Sequence, residues 1–114
     1  MSIQPGTYNF IMQRRADFSL RLQFKDSTGA NINLAGFTVY SQCWDLDRKI
    51  KFADFSVAYT NRTTGTVDIS LTDTQTETFQ TEKLAYDVLL EDSNNKREYY
   101  LEGVITMSEG YTKP

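Results

Sequence analysis

The sequence of 114 residues contains no histidine, a single cysteine (Cys43) and only two prolines. Without histidine the chain lacks the commonest general base and metal ligand, and it cannot form a Ser–His or Cys–His nucleophile pair. One cysteine can neither close a disulfide within the chain nor build a thiolate metal cluster. Because these absences exclude most familiar catalytic arrangements, we predict a protein that is not an enzyme and has no catalytic residue, metal site or cofactor.

The sequence also has no excess of positive charge and no long apolar run. Lys and Arg number 12 against 15 Asp and Glu, which gives a net charge of −3. A mildly acidic chain gains nothing from releasing the counterions of DNA or RNA. Its apolar runs are only a few residues long, too short for a membrane-spanning helix. We therefore expect neither nucleic acid nor a membrane among its partners.

What the sequence does contain favours β structure. Threonine is abundant, and seven Tyr, seven Phe and one Trp make 13% of the chain aromatic. These residue types suit a pleated, half-buried surface better than a helix. The length is that of one domain, so we predict a single domain over residues 1–114, with flexible ends at 1–6 and 108–114.

Alternation of apolar and polar residues predicts about seven strands, separated by a turn every 8 to 12 residues. Such spacing is typical of an antiparallel sandwich. The predicted strands are 7–12, 17–24, 37–44, 55–59, 67–71, 84–90 and 98–107. Thr72 and Gln75 form a capping-box pattern, which predicts one short helical turn over Thr72–Phe79. We predict an all-β, immunoglobulin-like sandwich in which the third strand and the last two share a sheet; an eight-stranded jelly roll and a small open barrel are the alternatives.

One face of that sheet is the candidate functional surface. If Val39, Ser41 and Cys43 face the core, the residues between them face outward, and the same alternation applies to the last two strands. The outward set is unusually apolar for a solvated face, as is typical of an interface. The candidate interface residues are Tyr40, Gln42, Trp44, Leu89, Tyr100 and Val104.

The aromatic residues of this face and two turn carboxylates each suggest a further kind of site. Tyr40, Trp44 and Tyr100 could form a platform that stacks sugar rings, with Gln42 beside them to bind hydroxyls, so a carbohydrate-binding module is the alternative function. Asp26 and Asp45 begin turns that could suggest Ca²⁺, but each turn offers too few oxygens for its 6 to 8 ligands. Carboxylates that start tight turns are the simpler interpretation.

Several segments resemble a small phage tail module. That module opens with a Tyr-x-Phe strand and continues with Asp-x-x-Gly-x-x-x-x-Leu-x-Gly-Tyr-Thr, where this chain has Phe37 in place of the tyrosine. The similarity extends from about Pro5 to Met107. The matching segments are Tyr8–Phe10, Gln13–Phe18, Lys25–Val39, Thr64–Leu71, Tyr86–Leu90 and Tyr100–Gly103.

The sequence is thus similar to the immunoglobulin-like N-terminal domains of siphophage baseplate upper proteins and to small structural proteins of cyanophages. The resemblance implies a non-catalytic virion component of the tail, baseplate or neck, made in the host cytoplasm. Its expected partners are other virion proteins and copies of itself in a homo-oligomer. The shared motifs consist of turn and core positions, so the resemblance assigns no site residues.

Overall fold

The computed structural model describes residues 6–111, which form nine β-strands and one short helix. The strands are β1 (Gly6–Thr7), β2 (Phe10–Gln13), β3 (Phe18–Gln23), β4 (Thr38–Trp44), β5 (Lys51–Asp54), β6 (Ser56–Asn61), β7 (Thr66–Leu71), β8 (Lys83–Glu91) and β9 (Arg97–Ser108), and helix α1 (Asp73–Glu77) lies between β7 and β8. No helix in this part of the chain is long and apolar enough to cross a membrane.

The strands pack as two sheets. The larger sheet has the order β1-β9-β8-β4-β5, with β2 also paired to β9, and the smaller sheet has the order β3-β7-β6. The chain passes from one sheet to the other between β2 and β3, between β3 and β4, between β5 and β6, and through α1 between β7 and β8. This is the predicted immunoglobulin-like β-sandwich, and the grouping of the third predicted strand with the last two is confirmed by the adjacent strands β4, β8 and β9.

The core lies between the inner faces of the two sheets, as the alternation predicts. On β4 the buried residues are Val39, Ser41 and Cys43, and on β7 every second residue is again buried. Large apolar side chains from both sheets fill the space between these strands. Those without exposed surface include Met12, Phe24, Leu34, Ile69, Phe79, Leu84, Val88 and Ile105.

The predicted helical turn is confirmed in a shortened form. Helix α1 has Thr72 as its N-cap, whose hydroxyl accepts a hydrogen bond from the Gln75 backbone at 3.2 Å. The Gln75 side chain in turn accepts one from the Thr72 backbone at 2.9 Å. Both halves of the capping box are therefore formed, and they satisfy donors that a helix start would otherwise leave unpaired.

Two strand predictions were incomplete. The segment Lys51–Asp54 pairs with β4 as an edge strand, but it is too short to show a period of two, and no strand was predicted there. The predicted first strand, 7–12, is divided into β1 and β2, both of which pair with β9 in parallel rather than antiparallel. The sandwich is therefore antiparallel except at this edge.

The predicted flexible ends fall partly outside the described residues. Within them, Gly6 and Ser108 are strand residues paired in the larger sheet. Glu109 forms salt bridges with Arg14 and with Arg15. Gly6, Ser108 and Glu109 are thus bonded to the sandwich, whereas the side chain of Tyr111 is fully exposed.

A candidate interface on the outer face of the larger sheet

The outer face of the larger sheet is its side turned away from the smaller sheet. On the three central strands, β4, β8 and β9, the pairing register aligns the outward side chains in rows across the sheet. Three rows matter here, and each takes one residue from each strand. The upper row is Tyr40, Leu89 and Tyr99; the middle row is Gln42, Asp87 and Glu102; and the lower row is Trp44, Ala85 and Val104.

The upper row is apolar and accessible. Tyr40 is 45% exposed and Tyr99 is 51% exposed, on either side of the half-buried Leu89. Beyond this row, Arg97 donates a 2.5 Å hydrogen bond to the Glu91 carboxylate. The row is therefore a contact surface of two phenol rings and one leucine, with a paired charge at its end.

The lower row is also apolar, but its members are half-buried. The indole nitrogen of Trp44 donates a 3.0 Å hydrogen bond to the side-chain oxygen of Gln42, which is two residues away on the same face of β4. Gln42 thereby satisfies the only polar atom of the indole side chain and leaves the ring available for apolar contact. Ala85 and Val104 continue the row across β8 and β9.

The middle row separates the two apolar rows with carboxylates. Asp87 and Glu102 lie directly opposite each other on β8 and β9. Burial raises the pKa of Asp87; Arg48, in the turn after β4, opposes this rise, and Glu102 adds to it. Neither carboxylate forms a salt bridge with another residue between Gly6 and Tyr111.

Five of the six predicted interface residues lie on this face, and the sixth does not. The register shifts between Val88 and Leu89, so that Tyr100 is an extra residue of β9. Its ring packs edge-on against buried Phe24, with ring centroids 4.5 Å apart. Its hydroxyl accepts a 3.0 Å hydrogen bond from the Lys25 backbone.

Tyr100 therefore joins the two sheets, and its placement in the interface was wrong. Because of the same bulge, Tyr99, which the alternation placed inward, takes the outer position. Period-two reasoning assumes an uninterrupted strand, and one extra residue reverses the assignments on one side of it. Val104, on the other side of the bulge, keeps its predicted outward position. No turn residue or charge in this segment signals the bulge.

The aromatic platform that the carbohydrate hypothesis requires is not formed by the three predicted residues. Tyr100 packs toward the core, and Tyr40 and Trp44 are separated along β4 by Gln42. Carbohydrate binding itself stays a prediction.

The remaining candidate residues have structural partners. One oxygen of Asp26 accepts hydrogen bonds from the backbone of Thr28 and of Ala30, and Asp45 holds its own turn in the same way. These bonds are the tight-turn role expected for such carboxylates. Cys43 is completely buried, and this burial raises the pKa of its thiol to about 12.

Comparison with known proteins identifies the fold. Neither a family model nor a curated protein matches the chain. Cadherin-like domains 1 to 4 of zebrafish RET superpose with a TM-score of 0.56 at 17% identity, over 93% of this chain and 23% of that one. The filamin domain of Lin-41 gives a TM-score of 0.47 at 14% identity, over 88% of this chain and 84% of that one. At 17% identity the match to the cadherin-like domains shows an immunoglobulin-like sandwich and nothing about function.

Proposed function

We propose that this chain is a non-catalytic structural protein of a phage virion that assembles with other virion proteins through the outer face of its larger sheet. The observation that carries the proposal is the pair of apolar rows on that face. An antiparallel sheet with one solvated side normally places polar residues there. Accessible apolar patches of this kind on a small domain are typical of an interaction site.

The composition of the face supports protein contact in particular. Tyr and Trp are enriched at the centres of protein interfaces, where they contribute a large share of the binding energy. Tyr40, Tyr99 and Trp44 supply three such side chains. They lie on β4 and β9, which β8 joins in one continuous sheet, so the surface needs no rearrangement before it binds.

The virion setting is supported by the sequence resemblance to phage tail modules described above. Mass spectrometry of purified particles tests it directly: the chain should be present in a fixed ratio to the other tail or neck proteins. Its absence from particles would contradict the virion setting but not the interface.

The interface is tested by co-expressing the tagged chain with the structural proteins encoded by its neighbouring genes. The wild-type chain should elute with one of them as a complex of fixed stoichiometry. Tyr40→Glu combined with Tyr99→Glu should remove the complex and leave the fold intact, because both side chains are exposed. The matched control is Leu46→Glu combined with Ile50→Glu, which places the same charges on two exposed apolar residues of the β4–β5 turn. A complex that survives the first variant as well as the second would refute the proposed interface.

A further inference from the structure

The centre of the proposed interface contains two carboxylates, Asp87 and Glu102, that form no salt bridge with any residue between Gly6 and Tyr111. Asp87 and Glu102 are paired in register on neighbouring strands, and residues so paired have Cβ atoms about 5 Å apart. Like charges in that position destabilise a sheet. The apolar rows on both sides also limit the access of water to Asp87, which is half-buried.

The other charged groups nearby do not remove this imbalance. On the outer face, Lys51 is already paired with Asp54 at 3.1 Å, and Arg97 is paired with Glu91. Gln42, which faces Asp87 from β4, is neutral. Arg48 attracts Asp87, but the two form no salt bridge. The middle row is therefore a negative strip between two apolar contacts.

This arrangement disfavours a second copy of the chain as the occupant. A two-fold symmetric dimer brings the same patch of both subunits together. Centred on the outer face, it would bury four carboxylates against one another, and burying unpaired charge is costly. An occupant with a positive charge at the same place would instead form charge-assisted hydrogen bonds in a site from which the apolar rows exclude water.

We infer that the outer face binds a different protein, whose contact segment places a basic side chain between two apolar ones, over Asp87 and Glu102. The inference rests on the proposed function and specifies its partner. Successive rows on the face are two residues apart, about 7 Å along a strand. In an extended segment with the pattern apolar–x–basic–x–apolar, the two apolar side chains and the basic one point to the same side and are also about 7 Å apart. Each of the three can therefore lie over one row of the face. Arginine suits the position best, because its planar guanidinium can contact both carboxylates.

The probe for this inference is the peptide acetyl-Leu-Thr-Arg-Thr-Leu-amide, titrated into isotopically labelled protein and followed by NMR. Its control replaces arginine with citrulline, which keeps the shape and removes the charge. We expect shifts concentrated on the outer-face residues of β8 and β9, with about tenfold weaker binding of the citrulline peptide, as loss of a charged hydrogen bond predicts. Equal affinities for the two peptides, or no shift with either, would overturn the inference.

A variant pair checks that the carboxylates are responsible. Asp87→Asn combined with Glu102→Gln should reduce the affinity for the arginine peptide to that of the citrulline peptide. Asp47→Asn combined with Glu77→Gln changes the net charge equally, at exposed positions outside the sheet, and should leave the affinity unchanged. If both variants lost the same affinity for the arginine peptide, the overall charge of the protein would explain the binding, and the specific site would be refuted.

Sedimentation over a concentration series separates this inference from the proposed function. If the wild-type chain forms a dimer and Tyr40→Glu combined with Tyr99→Glu abolishes it, the outer face is an interface between copies of the chain. That result would overturn the inference of a basic partner but not the proposed interface. A wild-type monomer whose peptide response is confined to the outer face supports both.

Discussion

The hydroxyl of Tyr86 donates a 2.5 Å hydrogen bond to the backbone carbonyl of Tyr8, across the position of Gly103. Tyr86 is paired with Gly103 on the neighbouring strand. A Cβ atom built on Gly103 would lie 2.0 Å from the Tyr8 oxygen and 3.0 Å from the Tyr86 ring. Because Gly103 has no side chain, the backbone of Tyr8, which lies between β1 and β2, can pack directly against β9.

Gly103→Ala should therefore destabilise the domain by about 1 to 3 kcal/mol, the range for an added carbon in a well-packed site. The new methyl group meets backbone rather than a flexible side chain, so the segment around Tyr8 must move. Gly6→Ala is the matched control in the same sheet, since its Cβ would meet only Leu101 at an ordinary 3.6 Å. Urea denaturation of both variants measures the difference. Equal stability of the two would show that the Tyr8 segment does not pack against Gly103.

Adjacent residues Tyr99 and Tyr100 should respond oppositely to the same substitution. Tyr100→Asp removes the contact with buried Phe24 and places a charge there, so we expect a loss of about 3 kcal/mol or more. Tyr99→Asp changes an exposed side chain and should alter the free energy of unfolding by no more than about 0.5 kcal/mol. Thermal unfolding of the two single variants tests the bulge directly. If Tyr99→Asp proved the more damaging, β9 would have the uninterrupted register that the sequence alone predicts.

The contrast between these two tyrosines explains how much the sequence could predict. Alternation on β4 identified Val39 and Cys43 as core residues and Tyr40 as outward, because a regular strand shows its two faces directly. It failed at Tyr99 and Tyr100, where β9 bulges, because the extra residue is set by pairing with β8 and not by local composition. Beyond the bulge, Val104 lies on the outer face as predicted. The acid pair was missed for a similar reason: Asp87 and Glu102 are 15 positions apart, and only the register places them opposite each other.

The buried thiol of Cys43 should report on global unfolding. It has no exposed surface, and its pKa of about 12 leaves almost no thiolate at neutral pH, while the thiolate is the reactive form. In the native protein, labelling by a thiol reagent should therefore be limited by opening of the sandwich. Labelling rates measured along a urea series should rise in parallel with the unfolded fraction. Rapid labelling without denaturant would show that the segment around β4 and β5 opens locally.

Asp87 and Asp68 should give stability curves that depend on pH in opposite directions. Burial raises the pKa of Asp87 above its usual 3.8, so folding favours its protonated form. The contribution of this protonated form to the free energy of unfolding is lost as the pH rises from about 4 through the folded-state pKa. The hydrogen bond from Arg21 lowers the pKa of Asp68 below its usual 3.8. The ionised Asp68 therefore contributes fully to the free energy of unfolding above about pH 4, and this contribution is lost as the pH falls below that value.

Asp87→Asn should therefore raise stability relative to wild type at pH 7 and lose this advantage toward pH 3. Asp68→Asn should lower stability at pH 7 and approach wild type at low pH. Chemical denaturation of the three proteins at half-unit steps from pH 3 to pH 7 measures both trends. Of the groups around Asp87, Gln42 is neutral, Arg48 is a cation that opposes the rise, and the carboxylate of Glu102 adds to it. Repeating the Asp87 comparison in a Glu102→Gln background removes that contribution. A stability difference for Asp87→Asn that stayed constant across this range would show that the carboxylate is already compensated in the free protein, and the need for a basic partner would disappear with it.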